Sequence, residues 1–397
     1  MTSTETIVRI AARGEGVTPS GRFIAGAAPG DMVDALGLIT PGPNRQVPPC
    51  QHYARCGGCQ LQHINDAAFS DYIVDRISGA LHAQGIDLPE IRTPILSPPF
   101  SRRRASLRAQ KMGKQVILGF AETGSHKLVD LRACPVMHPA LFALLQPLRK
   151  LLLTLITKRH PVDIRMTLTD QGVDVLISGV EAEGLEVAEM LTAFSISNTL
   201  ARFSLDEGYG PTARWEPDPV TITLGGVAVG LPEGAFLQAT SHGEAALVTA
   251  VRAIMGDATP VVDLFAGLGT FALSLGVPVH AVEGARDAAM CLHLAGKRVG
   301  RALTTEHRDL FRRPLTAVEL SRFGGAILDP PRAGAKEQVD EIARSSVPRV
   351  AFISCNPATF ARDAKTLIDG GYRLEHIQPV GQFRWSTHVE LAAAFTR

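Results

Sequence analysis

The sequence lacks several features that would restrict its class. No apolar run reaches the roughly 18 residues that a membrane-spanning helix needs. The N-terminal MTSTETIVRI has neither the basic start nor the apolar core of a secretion signal. A cytoplasmic location without membrane contact is therefore expected. The 397 residues carry a formal net charge of only +1, so any contact with nucleic acid must use local patches, since an overall basic field is absent.

Cysteine is also scarce. Six cysteines in a chain of this length do not indicate a disulfide scaffold, and in a reducing compartment metal binding or catalysis explains them better. Three lie early and close together, one is isolated, and two lie in the last third of the chain: Cys50, Cys56 and Cys59, then Cys134, then Cys291 and Cys355.

The hydrophobic content of 45% is ample for a core, and the length predicts two or three domains. Residues 1–45 contain short strands split by turns, which predict a small β-barrel of the oligonucleotide-binding kind or, alternatively, a hairpin appendage. Residues 46–240 mix strands with helices and predict an α+β domain, although its first helix, at 64–84, is also suited to packing on the last domain. Residues 241–397 alternate strand and helix, as in a doubly wound α/β domain.

Within the last domain the pattern predicts ten elements. The helices are expected at 243–255, 270–275, 285–299 and 357–369, and the strands at 260–265, 278–283, 325–329, 349–354, 374–380 and 388–395.

The most informative stretch is VVDLFAGLGTFAL, which starts at residue 261. An apolar strand ends there in Asp263, and a loop with Phe265, Gly267 and Gly269 follows. Glycines at the end of a first strand let the backbone approach a ligand closely. The spacing differs from the G-x-G-x-x-G of dinucleotide sites and favours S-adenosylmethionine, although chance α/β turns also produce such loops.

Acidic residues extend this candidate site. Glu283 ends the next strand, about 20 residues further on, where an acidic side chain can hold two ribose hydroxyls. Asp309 is expected at the end of a further strand, between those at 278–283 and 325–329, and either contacts the same ligand or caps a helix. The motif DPPRAG, at 329–334, follows a further strand. Many base-methylating enzymes carry an aromatic ring where Arg332 stands, which argues against methylation of an amine; the alternative is a rigid Pro-Pro turn.

Cys355 lies where a strand meets a helix, in AFISCNPATFARD at 351–363. The thiol is expected at the carboxyl edge of the sheet, on the cofactor face. A helix N-terminus there would lower its pKa from the free value of about 8.5. The alternative is an inert core cysteine.

A thiol at this edge has a chemical use. Carbon 5 of uracil is too poor a nucleophile to take a methyl group from a sulfonium. Addition of a thiolate at carbon 6 makes carbon 5 reactive, and a base must then remove the proton of carbon 5. Glu390, before the last apolar strand, is the candidate base, with a solvated surface glutamate as the alternative.

Together these motifs resemble the RNA 5-methyluridine methyltransferase family. The matching stretches follow the family's order: FLQAT at 236–240, DLFAGLGTFAL at 263–273, DPPRAG at 329–334, SCNPATFARD at 354–363 and HVE at 388–390. The resemblance implies a class I S-adenosylmethionine-dependent methyltransferase domain with Cys355 as nucleophile and Glu390 as base. It also implies cofactor contacts for Gln238 and the glycine loop residues, Glu283 and Asp309, and a position for Asp329 between cofactor and uracil.

The sequence departs from this family at a few positions. Gly381 and Arg384 flank Gln382-Phe383, where Asp and Pro usually surround a Phe, and Thr240 stands where many members have Asn.

The early cysteines and Cys134 follow the pattern C-x5-C-G-G-C plus a later cysteine. Four thiolates can hold a [4Fe–4S] cluster or a zinc ion, and the single C-x2-C pair favours the cluster. The alternative is four unrelated buried cysteines. The resemblance implies the cluster too, because the ribosomal-RNA branch of the family carries one on this pattern. It also implies that residues 1–45 form the barrel called TRAM.

The basic stretch SRRRASLRAQK, at 101–111, either contacts phosphates or is a solvated strand edge. The predicted function is therefore methylation of uracil carbon 5 in 23S ribosomal RNA by a monomer. One alternative keeps the chemistry and changes the target to transfer RNA. The other is an iron–sulfur redox or sensing protein that binds RNA through its barrel.

Overall fold

The computed structural model describes residues 4–157 and 160–397, so the first three residues of the predicted N-terminal segment lie outside it. In these ranges the helices are α1 (Asp66–Ala83), α2 (Pro139–Ala143), α3 (Leu145–Leu155), α4 (Leu185–Ser197), α5 (Ser241–Met255), α6 (Arg286–Arg298), α7 (Ala317–Leu320), α8 (Lys336–Arg344) and α9 (Pro357–Asp369). None of these helices combines the length and the apolar character needed to cross a membrane.

The strands of the same ranges include many short ones. They are β1 (Glu5–Thr6), β2 (Arg9–Ile10), β3 (Gly16–Val17), β4 (Phe23–Ile24), β5 (Met32–Val33), β6 (Ile39–Thr40), β7 (Glu90–Ile91), β8 (Ile95–Leu96), β9 (Arg104–Met112), β10 (Gln115–Gly119), β11 (Val162–Thr169), β12 (Gly172–Ser178), β13 (Leu200–Asp206), β14 (Pro211–Trp215), β15 (Thr221–Leu224), β16 (Val227–Gly230), β17 (Val261–Leu264), β18 (Val279–Glu283), β19 (Leu303–His307), β20 (Gly325–Leu328), β21 (Arg349–Ser354), β22 (Arg373–Gly381) and β23 (Glu390–Thr396).

The largest sheet lies in the C-terminal part of the chain. Its strand order is β19-β18-β17-β20-β21-β23-β22-β7, and β8 also pairs with β22. The five strands from β19 to β21 in this order are parallel, whereas β23 runs antiparallel to both of its neighbours. Because the chain order reverses beside β17, the carboxyl ends of β17 and β20 border the crevice where α/β sheets bind ligands.

Helices cover both faces of this sheet. One face packs against α1, α8 and α9, through residues such as Phe69, Val339 and Phe360. The opposite face packs against α5, α6 and the β15–β16 hairpin, through residues such as Leu247 and Leu292. The predicted doubly wound α/β arrangement is confirmed.

The segment 66–96 precedes the central sheet in the chain but packs on the C-terminal one. The side chain of Asn65 caps α1 by accepting a hydrogen bond from the backbone N–H of Ala68 at 2.9 Å, and the buried face of α1 joins the core below β22. Strands β7 and β8 then pair in parallel with β22. The structural body that carries the C-terminal sheet therefore includes residues from outside 241–397.

Most predicted elements of this body occur close to their expected bounds, and α9 has the predicted bounds. The helix expected at 270–275 is an exception, because that segment forms turns. The backbone N–H of Ala272 donates to Oδ2 of Asp263 at 2.9 Å, and that of Ser274 donates to the carbonyl oxygen of Phe271. These bonds replace the helical pattern, so the predicted helix is wrong.

The central part of the chain forms a second sheet, of six strands in the order β10-β9-β11-β12-β13-β14. Helices α2, α3 and α4 pack on it. A mostly antiparallel sheet with helices packed on it is typical of an α+β domain.

The N-terminal residues form two three-stranded sheets, β1-β5-β6 and β2-β3-β4. Their small core contains Ile7, Ala27 and Val33. Turns every few residues limit each strand to two residues, and the pairings of the described strands do not join into one closed barrel. The predicted barrel is therefore not confirmed.

Candidate active site

Cys355 lies between a buried strand and the start of a helix. β21 ends at Ser354 and α9 begins at Pro357. The side chain of Asn356 caps the helix by accepting a hydrogen bond from the backbone N–H of Ala358 at 3.1 Å, and a proline suits the first helical position because no N–H is needed there. The thiol is thus at the carboxyl edge of the sheet, where the sequence predicts it.

The loop 329–334 leaves β20 and lies against the start of α9. The carbonyl oxygen of Arg332 accepts hydrogen bonds from Nδ2 of Asn356 at 3.1 Å and from Oγ1 of Thr359 at 3.2 Å. Nη2 of Arg332 lies 3.0 Å from Nδ1 of His388. This loop is therefore held between the helix that follows the candidate nucleophile and the segment that precedes β23.

Glu390 begins β23 and is only 4% exposed. The last residue pair between β21 and β23 is Ser354 with Leu391. Because the register of an antiparallel pair advances one residue on each strand, Cys355 and Glu390 are the next opposite positions. The predicted nucleophile, which directly follows β21, and the predicted base, which begins β23, therefore lie close to each other.

Burial is the largest influence on the pKa values of Asp329, Glu390 and Cys355. Burial raises the pKa of Asp329 to about 7. Burial and the charge of Asp329 raise the pKa of Glu390 to about 8, against a hydrogen bond from Gln382.

The thiol follows the same rule. Burial, with the charges of Glu390 and Asp329, raises the pKa of Cys355 to about 11, while Arg332 acts in the opposite direction. The expectation of a lowered thiol pKa is therefore wrong, because burial and two carboxyl groups raise the pKa of Cys355.

The glycine loop after β17 is held by two acidic side chains. Asp263 is fully buried, and its Oδ1 has no hydrogen-bond partner among the described atoms. Glu283 accepts hydrogen bonds from the backbone N–H of Gly267 at 2.7 Å and of Ala285 at 2.6 Å. A Cβ added to Gly267, whose φ is +56°, would meet nothing within 4 Å. The open space at Gly267 leaves room for a ligand such as S-adenosylmethionine to approach the backbone of the loop.

The other predicted cofactor residues of this region, Gly269, Phe265 and Asp309, make packing and turn contacts within the protein. A Cβ on Gly269 would come within 2.3 Å of Leu292 on α6, so glycine is needed there for packing. The ring of Phe265 lies 5.3 Å from that of Phe311, at the rim of the loop. Asp309 accepts a hydrogen bond from the backbone N–H of Phe311 at 3.0 Å, so it caps a turn, and no described helix starts there.

Gln382 connects two predicted site residues, although the sequence reasoning does not include it in the site. Its Nε2 donates to Oε1 of Gln238 at 2.7 Å and to Oε2 of Glu390 at 2.7 Å. Nε2 of Gln238 in turn lies 3.4 Å from Oδ2 of Asp329. The only signal in the sequence is that Gln382 stands in a stretch that departs from the resembled family.

The four predicted metal ligands line one cavity, namely Cys50, Cys56, Cys59 and Cys134. Its wall also contains Arg102 and residues 386–388, which immediately precede β23. Burial raises the pKa of Cys59 to about 12, and the neighbouring thiols add to this effect. The structure therefore brings the four thiols together, beside the segment that leads to Glu390.

The arrangement of these four thiols does not itself show a metal site. In the described part of the chain, no group of three or more His, Cys, Asp or Glu side chains is arranged to hold a metal ion. The cluster predicted from the sequence is therefore not confirmed.

The basic stretch 101–111 is largely engaged within the protein. Arg103 is buried and pairs with Glu244 at 2.5 Å. Arg104 donates to the carbonyl oxygen of Leu237 at 2.5 Å and lies 5.0 Å from the ring centre of Phe236. These contacts link the central sheet to the segment before α5, so this part of the stretch is neither a solvated edge nor a free phosphate surface.

Comparison with known proteins first gives the class. The family model of tRNA (Uracil-5-)-methyltransferase matches residues 285–397. The crystal structure of the Pyrococcus abyssi tRNA (uracil-54, C5)-methyltransferase in complex with S-adenosyl-L-homocysteine matches with a TM-score of 0.72, over 99% of this chain and 100% of that chain, at 20% identity. The chain therefore has the class I methyltransferase fold.

Sequence relatives then give the family. An uncharacterized RNA methyltransferase of Zymomonas mobilis subsp. mobilis is 48% identical over 98% of this chain and 99% of its own length. The 23S rRNA (uracil(1939)-C(5))-methyltransferase RlmD of Halomonas elongata is 33% identical over 93% of this chain and 83% of its own length. The chain belongs to the RNA (uracil-5-)-methyltransferase family and is an S-adenosylmethionine-dependent enzyme, so the alternative of a sensing protein without catalysis is wrong.

Proposed function

We propose that this enzyme forms 5-methyluridine in 23S ribosomal RNA, with Cys355 as the nucleophile and Glu390 as the base. The observation that carries the mechanism is that Cys355, directly after β21, lies close to Glu390 at the start of β23, a buried carboxyl group with a pKa of about 8. The 33% identity with an RlmD enzyme over 93% of this chain supports the ribosomal target.

The crevice at the ends of β17, β18 and β20 is the proposed methyl-donor site. When bound there, S-adenosylmethionine supplies the methyl group of its sulfonium. The residues assigned to this site are Gln238, Asp263, Phe265, Gly267, Gly269, Glu283, Asp309 and Asp329. The unpaired Oδ1 of Asp263 and the open space at Gly267 support this assignment most directly.

The reaction then balances as follows. The target uracil is flipped out of its stack to reach the edge of the sheet. Cys355 loses its thiol proton, and its Sγ bonds to carbon 6 while the electron pair of the double bond between carbons 5 and 6 forms an enolate. Carbon 5 then takes the methyl group, whose bond to the sulfonium sulfur breaks. Glu390 takes the proton from carbon 5, the double bond re-forms, and the bond between Sγ and carbon 6 breaks. The thiolate recovers a proton, so the one proton released overall is that of carbon 5.

The four-cysteine cavity is the proposed site of a [4Fe–4S] cluster. Cys50, Cys56, Cys59 and Cys134 would supply one thiolate to each iron. With all four irons bound by the protein, the cluster has no open position for substrate, and the proposed role is structural. Residues 1–45 are proposed as the TRAM-like RNA-contacting unit, 46–240 as the central domain and 241–397 as the methyltransferase domain, onto which segment 66–96 packs.

The mechanism can be tested with RNA that contains 5-fluorouracil. In this RNA, fluorine replaces the hydrogen of carbon 5 that the base would remove as a proton. The covalent adduct therefore persists and appears as a shifted band on a denaturing gel. The wild type should form the adduct when the methyl donor is present, and Cys355→Ala should not. Cys291→Ala, which changes a thiol on α6, is the matched control and should behave as the wild type. Adduct formation by Cys355→Ala would refute the nucleophile assignment.

The target needs a separate measurement. Methyl incorporation into purified 23S ribosomal RNA should exceed that into purified transfer RNA, each prepared without 5-methyluridine. The reverse preference would favour transfer RNA and leave the chemistry unchanged.

A further inference from the structure

Gln382 has every polar group of its side chain engaged in a buried position. The residue is 2% exposed. Its Oε1 accepts a hydrogen bond from the backbone N–H of Ala239 at 2.9 Å, and its Nε2 donates to Gln238 and Glu390, each at 2.7 Å. A primary amide has two donor hydrogens, so both are used. Since Ala239 can only donate there, the amide has one orientation that satisfies all three partners.

The space around Gln382 is also specific. Gly243 lies in the first turn of α5, and a Cβ added to it would come within 2.5 Å of Cβ of Gln382 and 3.1 Å of its Oε1. Oγ1 of Thr240 caps the same helix by accepting a hydrogen bond from the backbone N–H of Gly243 at 2.9 Å. The start of α5 is therefore closely fitted to the Gln382 side chain.

We propose that Gln382 is a positioning residue that orients the carboxylate of Glu390 toward carbon 5 of the target and joins it to Gln238 on the methyl-donor side. This inference rests on the proposed role of Glu390 as the base. A carboxylate that must take a proton from carbon needs a fixed direction. One of its oxygens accepts from Gln382, which leaves the other oxygen for the substrate. The same amide donates to Gln238, so a ligand that moves Gln238 would also change the position of the Glu390 carboxylate.

The charged surroundings define the pH effect. Glu390 faces Asp329 at the end of β20 and the thiol of Cys355 after β21, and Arg332 lies on the same loop as Asp329. Burial and Asp329 favour the neutral form of Glu390, whereas the hydrogen bond from Gln382 favours the charged form. Loss of this bond should therefore raise the pKa of Glu390 and move the acid limb of the rate profile to higher pH.

The variant Gln382→Leu tests the proposal because leucine fills a similar volume without hydrogen-bonding groups. With natural uridine RNA and the methyl donor, proton removal should become slow while methyl transfer continues. The methylated covalent complex should accumulate, and the acid limb of single-turnover product formation should move up by about one pH unit or more, as expected for one hydrogen bond to a charged group. Gln378→Leu, on the strand β22 that directly precedes Gln382, is the control and should leave both readouts unchanged; Gln378 donates to the carbonyl oxygen of Thr93.

A second variant covers loss of folding. Gln382→Asn keeps the amide but is one methylene shorter, so it cannot reach Ala239 and Glu390 together, and it should give the same two changes to a smaller degree. Wild-type pH profiles without accumulated complex in folded Gln382→Leu or Gln382→Asn would overturn the inference. A wild-type enzyme that forms no adduct with 5-fluorouracil RNA would instead overturn the proposed function itself.

Discussion

Cys355 and the four cysteines of the cavity are all thiols at least partly buried, but their charged neighbours differ. The pKa of Cys355 is raised by burial and by two carboxyl groups, with an arginine acting against them. For Cys59 the additional influence comes from other thiols, namely Cys134, Cys56 and Cys50. A thiol beside acids and a base can exchange its proton during a reaction, whereas thiols beside one another give up their protons when a metal binds. The partners of a buried thiol therefore indicate its chemistry better than the direction of its pKa shift.

The two thiol regions, namely the site of Cys355 and Glu390 and the four-cysteine cavity, are also in contact. The carbonyl oxygen of Trp385 accepts hydrogen bonds from the backbone N–H groups of Gln60 and Leu61, both at 2.9 Å. These residues directly follow Cys59, and Trp385 lies five residues before Glu390. A change at the four-cysteine cavity can therefore reach the base through one short segment.

The largest effect is expected from Glu390→Gln. An amide cannot take the proton of carbon 5, so turnover should fall by roughly 100-fold to 10,000-fold, the usual contribution of a general base. The methylated covalent complex should still form with natural uridine RNA and persist on a denaturing gel. Glu375→Gln, on the adjacent strand β22, serves as the control. Turnover near the wild-type rate in Glu390→Gln would refute the assignment of Glu390 as the base.

A selective loss of iron is expected when a cysteine of the four-cysteine cavity is replaced. Cys59→Ser should lose most of the bound iron, because a neutral hydroxyl replaces a thiolate ligand. Cys355→Ser should keep its iron and lose the covalent adduct. Iron and sulfide analysis of the two purified variants, beside the wild type, measures the difference. If Cys59→Ser kept the wild-type iron content, or if the metal proved to be zinc, the assignment of a cluster to the cavity would be incorrect.

The pH dependence should change less strongly. The proposed base, Glu390, would act in its charged form, so the wild-type rate should rise as the pH passes through about 8. In Asp329→Asn the charge that raises the pKa values of Glu390 and Cys355 is absent, so the acid limb should move to lower pH. The measurement is the single-turnover rate between pH 6 and 9, roughly the range over which these groups titrate. Asp257→Asn, an exposed residue, should leave the limb in place, and an unchanged limb in Asp329→Asn would contradict this coupling.

Local sequence patterns predicted the elements of the site well. The Asn-Pro sequence after Cys355 marks the start of α9, and the apolar runs mark β17, β18, β20 and β21. The pairing of β7 and β8 with β22 was not predictable, because it joins short segments almost 300 residues apart that have no periodicity of their own. The pKa of Cys355 was predicted in the wrong direction, since the helix terminus is visible locally and the carboxyl groups of Asp329 and Glu390 come from other strands.

The smallest expected effect tests the connection between the two regions. Gln60→Ala removes a side chain whose Oε1 accepts from the backbone N–H of Thr387 at 3.4 Å and whose Nε2 donates to the carbonyl oxygen of Gly57 at 2.7 Å. The backbone bonds to Trp385 remain, so turnover should fall by only about fivefold, as for one neutral hydrogen bond, and the iron content should stay at the wild-type level.

Gln84→Ala, after the end of α1, is the matched control for Gln60→Ala. Loss of iron without loss of turnover would assign Gln60 to the four-cysteine cavity alone. Full retention of both would mean that the backbone bonds to Trp385 are sufficient for the connection. A fall in turnover at constant iron content would instead mean that the position of the segment before Glu390 depends on the loop that carries Cys59, so that the two thiol regions act on one catalytic base.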